Sequence, residues 1–502
     1  MPAQVTTRAQ VNGYRFLIRR LEHALIRGDS RMIHDPMRGQ TRALLVGMVA
    51  ATLIAGATGV LAFFKPTPNF GNATIILSES NGELFVRIGD RLHPALNLAS
   101  ARLIAGKSDP PKEVDDKFLN TVALGPVVGI VGAPTSIHSA DDPPMSSWTV
   151  CDSTQLPSMT APTGGPTMET TVLANDPVLG DDIHAAAPQQ MILTTAGDST
   201  YLIYNGVRAA INPADPILSH ALRLGDSDVR PVSPGLLNSF PLVEPILPIA
   251  IDGAGEPTAY LPASYRVGSI LQTADSSGQQ LYVALREGLQ PISPATADII
   301  RYGNPQSAMA AEATAISPAL VSAVPIVHSL RVDHYPTATP RFAHADPDSV
   351  VCMSWQRANS AADATSRLLV GRRLPLPKDA QPVTLATADG SGPGLDSVYL
   401  RPGTGEYVQA TGDEPGSRAK GPLFYVSDVG LRFHIQDAPT ATALGLTGTK
   451  EPGSAAETLP SAPWPVLSLL PSGPELSQQA ALIEHDGIAA DRDGTIITPP
   501  KS

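Results

Sequence analysis

Apolar residues run without a charged side chain from Ala43 to Phe64, ALLVGMVAATLIAGATGVLAFF, a stretch of 22 residues. As a helix rising ~1.5 Å per residue this stretch is roughly 33 Å long, enough to cross the ~30 Å hydrocarbon layer of a bilayer. Upstream the pattern is sparser. Val11, Tyr14, Ile18, Leu21 and Leu25 recur at alternating steps of three and four, an a/d-like seam, while Thr7 with Gln10 has capping-box spacing and Gly28 is placed as a stop. That predicts a helix over residues 1–28. Asp35-Pro36 and Gly39 read as a break before the membrane segment.

Beyond Lys65 the apolar runs shorten to three or four residues between turns, and one pattern occurs four times. Its strands are Leu84-Phe85-Val86, Tyr201-Leu202-Ile203, Tyr282-Val283-Ala284 and Phe424-Tyr425-Val426. Arg91-Leu92, Gly206-Val207, Gly288-Leu289 and Gly430-Leu431 follow, then Leu96, Ile211, Ile292 and Ile435. Pro- and Ala-rich helical turns lead to the closing triplets Phe118-Leu119-Asn120, Leu236-Leu237-Asn238, Leu320-Val321-Ser322 and Val466-Leu467-Ser468. Each copy reads as a hairpin packed on short helices, a unit that buries little surface alone. The copies fall at 65–123 (with a linker), 191–241, 270–325 and 415–471, with a connection at 242–269. Inserts at 124–190 and 326–414 carry β-branched runs and are expected to fold together as a central β-rich domain. Copies one and four then lie on one side of it and two and three on the other. Residues 472–502 read as a weakly ordered C-terminal strap. The expected fold is α+β: a cytoplasmic basic amphipathic helix and linker (1–42), a single transmembrane helix (43–64), and an elongated extracytoplasmic region of four βα repeats around a central β-rich domain.

Charge sets the direction. The first 42 residues hold eight arginines against Glu22, Asp29 and Asp35, so by the positive-inside tendency the N-terminus stays in the cytoplasm and the C-terminal bulk is periplasmic. A cleaved signal peptide is the competing reading, but it needs ~15–30 residues in all and the basic segment alone is longer. The chain carries a net charge of −12, and its outer part is more acidic still, which argues against nucleic-acid binding. The two cysteines, Cys151 and Cys352, lie in the outer part, each three residues from a tryptophan. Their placement predicts a disulfide, with two buried free thiols as the other reading; paired metal-ligand spacing is absent.

No catalytic, cofactor or metal site emerges from the motifs. Gly106-Lys107-Ser108 matches the tail of a Walker A element, with Ala101 in place of its first glycine. A phosphate loop needs a helix opening at the lysine, whereas here LASARLIA precedes it and Asp109-Pro110-Pro111 follows, so Gly106 reads as a helix stop. The eleven histidines are scattered, and no G-x-S-x-G element presents a serine. His334, His344 and Asp346 lie near Cys352 and read as polar loop residues.

The N-terminal residues Gly13-Tyr14-Arg15-Phe16-Leu17-Ile18-Arg19-Arg20-Leu21-Glu22-His23-Ala24-Leu25, then Arg27-Gly28-Asp29 and Asp35-Pro36-Met37-Arg38-Gly39-Gln40, resemble the signature of EccB, the membrane subunit of the mycobacterial type VII (ESX) secretion system. The single span, four repeats and two cysteines agree along the whole chain. The resemblance implies an inner-membrane complex with EccC, EccD, EccE and the mycosin protease, and a periplasmic body that dimerises. Its members are often labelled ATPases, so ATP enters as a cofactor by that label only; the residues lean against an enzyme. A structural scaffold with partner docking through the Val11–Leu25 seam is the leading reading. The alternatives are a nucleotide hydrolase and a cell-wall-binding repeat module.

Overall fold

The structure is a computed structural model that describes residues 7–31, 36–64, 71–138, 145–155, 167–226, 229–275, 278–304, 313–359, 361–390, 393–450 and 457–488. It divides into two compact units, 1–69 and 70–502.

The first unit is helical. Arg8–Arg27 forms the basic helix, opened by the Thr7/Gln10 capping box and closed by Gly28 at φ 70°. The apolar helix runs from Pro36 to Phe64, so it begins earlier than the sequence reading placed it. Pro36 starts this helix rather than breaking one, because proline at the first turn forgoes only an N–H that has no intrahelical partner, while Asp35 lies outside the described residues. Its window Thr41–Thr58 has a mean hydropathy of 1.5 and is unburied. Thr52 and Thr58 donate their hydroxyls to the carbonyls of Met48 and Ile54, so neither adds an unsatisfied donor to the apolar surface.

In the second unit each repeat is a three-stranded antiparallel meander, a helix, a returning segment and a short closing helix. The middle strands are Leu84–Ile88, Ser199–Tyr204, Gly278–Ala284 and Leu423–Ser427. The preceding strands Ile75–Ser78, Gln190–Ala196, Ile270–Asp275 and Gly405–Thr411 complete the meanders. The last of these belongs to repeat 4 rather than to the central segment 326–414. The N–H groups of Leu92, Arg208, Leu289 and Arg432 donate to the carbonyls of Ala123, Pro241, Pro325 and Pro471 at about the same point of each copy. The true equivalents in copies two and four thus lie one residue later than the glycine-based alignment, because the preceding turns differ in length. A capping side chain fixes where each main helix starts: Asn97, Asp215, Ser293 and Asp437 accept from the first-turn N–H groups.

The two inserts meet in a seven-stranded sheet at whose centre Met145–Gln155 pairs antiparallel with Val350–Ala358. One face of this sheet packs on repeats 2 and 4: Trp148, Val150, Val351, Met353 and Trp355 share a core with Leu236, Leu237 and Phe240 and with Val408, Phe424 and Val466. Repeat 1 joins repeat 4 in a second core around Leu103, Phe433 and Leu444, and repeat 3 joins repeat 2 in a third around Leu218, Ile292 and Ile300. The packing order is therefore 1, 4, centre, 2, 3. The C-terminal strap is not weakly ordered as far as it is described. Leu476 and Ala481 are fully buried in the core shared by repeats 1 and 4, and Glu484–His485 pairs with Val127–Val128, which bridges to Ala95 of repeat 1, so the strap ties repeat 4 to repeat 1. Residues 489–502 lie outside the described residues.

Candidate functional site

The basic helix presents its apolar seam to solvent, with Val11 39%, Tyr14 66%, Ile18 44%, Leu21 65% and Leu25 78% exposed. Leu17 stands three residues after Tyr14 and four before Leu21, so it widens the seam, and it too is exposed. Sequence reading missed it because a strict three–four alternation skips that position.

Gly106, Lys107 and Ser108 come after the C-terminus of the helix Leu98–Ala105. Gly106 takes a left-handed conformation at φ 68°, and its N–H points back to the carbonyls of Arg102 and Leu103. Lys107 pairs with Asp109 at 2.8 Å. A helix C-terminus carries partial negative charge, the reverse of what a phosphate cradle offers. The stretch lies at the junction with repeat 4, where Arg102 Nη1 donates to the Leu444 carbonyl at 2.9 Å, the end of that repeat's helix.

Cys151 and Cys352 are joined by a disulfide across directly opposed residues of the two central strands. Since those strands run antiparallel, a tryptophan three residues before one cysteine and three after the other fall opposite each other, and Trp148 does pair with Trp355. The bridge occupies the sheet face away from the repeats, beside Leu369 and Tyr399.

One buried polar link had no sequence signal. Asp152 accepts from the Ser233 N–H at 2.6 Å, the Ser233 hydroxyl at 2.8 Å and the Thr170 hydroxyl at 2.9 Å. Ser233 in turn caps the helix Pro234–Ser239 through the Leu236 N–H. Burial pushes the Asp152 carboxyl up, against the pull of these hydrogen bonds and of the nearby Arg230 charge. The carboxylate thus pins repeat 2 to the central sheet. Among the described residues no group of three or more His, Cys, Asp or Glu is placed to hold a metal ion.

These features define a class: a repeat-built body around a disulfide-bonded sheet, carried in one chain with, among the described residues, a single helix long and apolar enough to cross a membrane. The family described as "Type VII secretion system ESX-1, transport TM domain B" matches residues 3–490. The "ESX-5 secretion system ATPase EccB5" of Mycobacterium tuberculosis is 34% identical over 505 residues, covering 99% of this chain and 97% of that protein. The "ESX-3 secretion system ATPase EccB3" of Mycolicibacterium smegmatis is 35% identical over 506 residues, covering 97% and 92%. Among solved structures, the chain matches a component of an intact ESX-5 inner membrane complex with a TM-score of 0.68 at 31% identity, covering 99% of both chains. It matches an EccB3 dimer from the ESX-3 core complex with a TM-score of 0.67 at 31% identity, covering 82% of this chain and 100% of that one. The chain belongs to the EccB family of the type VII (ESX) secretion systems.

Proposed function

We propose that this chain is a structural subunit of an ESX inner-membrane complex, with its N-terminus in the cytoplasm, one membrane crossing and a periplasmic body that dimerises. The observation that carries this reading is the pairing, in one chain, of a crossing helix flanked by eight arginines with a body that matches solved EccB assemblies along its length. The charge step supports the orientation. The exposed seam of Val11, Tyr14, Ile18, Leu21 and Leu25 supports docking of another subunit on the cytoplasmic side, with EccC, EccD, EccE and the mycosin protease as the partners that family membership suggests. Ile18→Asp places an unpaired charge in that contact and costs several kcal/mol of binding. The expected result is normal membrane insertion with depletion from the assembled complex on native gels. Full assembly and secretion by the mutant would sink the docking role.

A nucleotide hydrolase is the second reading, favoured by the name printed for the relatives. What weighs against it is the geometry at Gly106, where the helix ends before Lys107 instead of beginning there. On the structural reading no cofactor is needed, and Lys107→Ala leaves complex abundance and secretion unchanged.

A further inference from the structure

The body is acidic overall, yet one of its cavities is lined by cations. This cleft of about 330 Å³ lies where the end of the central strand Val350–Ala358 meets the loop before repeat 4's middle strand. Arg357, Arg418 and Lys420 line it together with Asn359, Gln409 and Ser417, and no carboxylate is among its described lining residues. Of the other cavities, one of about 300 Å³ has Asp198 as its charged lining residue, and two mix signs. One of about 650 Å³ holds Asp181 and Asp182 with Arg372, Arg373 and Lys378, and one of about 410 Å³ sets Asp346 beside Arg230.

Both arginines are held in place before any ligand arrives. Arg357 donates to the carbonyls of Ala361, Ala362 and Ser417 at 3.0–3.4 Å, which occupies three of the five N–H groups of a guanidinium. Arg418 is tied to the same turn through the Ala362 carbonyl and Asp363, and to the Gly416 carbonyl. Lys420 is exposed and makes no ion pair among the described residues. Asp363 offsets the charge of Arg418, whereas Arg357 and Lys420 have no ion pair among the described residues, so an oxyanion would compensate these two while accepting the donors left over. The Gln409 amide donates to the Gly421 carbonyl at 3.1 Å and the Ser417 hydroxyl oxygen accepts from the Gly412 and Ala419 N–H groups, which leaves the Gln409 side-chain oxygen and the Ser417 proton as groups of the kind that bind sugar hydroxyls. The volume falls in the ~300–1,000 Å³ range of small-molecule sites.

We propose that this cleft binds a saccharide bearing an oxyanion, a sugar phosphate or a sugar acid. The assignment does not rest on membership of a secretion complex. Calorimetric titration of the detergent-purified full chain with glucose 1-phosphate, glucuronate, inorganic phosphate and glucose tests it. Glucose 1-phosphate or glucuronate should bind more tightly than inorganic phosphate and glucose, and the tighter of the two identifies the oxyanion. Lys420→Ala and Arg418→Ala should each weaken that binding roughly tenfold, as the loss of one charge-assisted contact does, while Arg373→Ala in the mixed-charge cavity leaves it unchanged. Absence of binding by both sugar anions, or wild-type affinity in both cleft variants, overturns the site. Equal affinity for inorganic phosphate and glucose 1-phosphate overturns the saccharide assignment.

Discussion

Repeats 2 and 4 and repeats 1 and 3 are copies of one unit, but only the first pair touches the central sheet. The difference is visible in a single turn residue. Gly89 in repeat 1 and Gly206 in repeat 2 both adopt positive φ, 62° and 77°, the same region of backbone space for a glycine turn. A Cβ built at Gly89 meets nothing within 4 Å, whereas one at Gly206 lies 2.1 Å from the Ser366 carbonyl oxygen of the central sheet. Gly430 of repeat 4 likewise abuts Val398 of that sheet, at 2.3 Å. In repeat 1 the glycine serves the turn alone, and in repeat 3 Gly288 abuts the Pro325 carbonyl beside that repeat's own closing helix, at 2.3 Å; only in the inner repeats does it make room for the central sheet.

The largest break in this arrangement comes from the bridge behind the sheet. Replacing both Cys151 and Cys352 with alanine removes a cross-link between residues 201 apart in sequence. The expected loss is about 2–5 kcal/mol, since a loop of this size is costly to close in the unfolded chain. Hydrogen exchange should quicken in Met145–Gln155, Val350–Ala358 and the helix Pro234–Ser239. The repeat 1–repeat 4 junction around Leu103 and Leu444 should keep its protection. Uniform quickening across all four repeats would show that inner and outer copies are not separable.

A smaller break isolates packing from backbone strain. Asparagine tolerates positive φ better than other residues with a Cβ, so Gly89→Asn should change stability by less than about 1 kcal/mol. Gly206→Asn carries the same backbone penalty but forces the turn away from Ser366, at a cost of roughly 3 kcal/mol. Chemical denaturation of the two variants side by side gives the comparison. Equal losses would remove the role assigned to the sheet contact.

The four-copy plan was legible because its middle strands and closing turns carry local signals: aromatic or branched triplets, turn glycines and Pro- and Ala-rich helical turns. The first strand of each meander was not. IILS, QMILTTA, ILQTAD and GEYVQAT share no marker, and what makes them equivalent is pairing, which is non-local. The order of the strap was hidden for a similar reason, since Leu476 and Ala481 are isolated apolar residues in a polar run and their burial depends on partners hundreds of residues earlier. Asp152 directly follows Cys151 in the sequence. Nothing in its sequence spacing points to Ser233, and only the sheet brings the two together. The cationic cleft was equally unreadable, because Arg357 and Arg418 come from an insert and a repeat that converge only in the fold.

The subtlest contrast between inner and outer repeats is electrostatic, and it has a sign. Asp116 in repeat 1 accepts hydrogen bonds from the Ser78 and Ser80 hydroxyls in the open, which hold its carboxyl below the ordinary value. Glu406 in repeat 4 shares a strand face with Val408 and Ala410, both part of the core against the central sheet. Burial there raises its carboxyl from 4.5 to about 7, with the Arg401 charge pulling the other way. In the unfolded chain Glu406 loses its proton near its ordinary value, while the folded chain keeps it to about pH 7. Folding is therefore favoured by this residue below its ordinary value, and that contribution is lost as pH rises toward 7, by at most ~3 kcal/mol. Asp116 acts oppositely: its contribution is present above the ordinary carboxylate range and fades as pH falls. Glu406→Gln leaves a neutral side chain of the same shape, so it should be more stable than wild type above pH 7 and lose that advantage as pH falls toward 4.5. Denaturation midpoints of the two proteins across that range measure the difference. A difference independent of pH would mean that Glu406 titrates as an ordinary surface carboxylate, and that the inner face of repeat 4 is open to water.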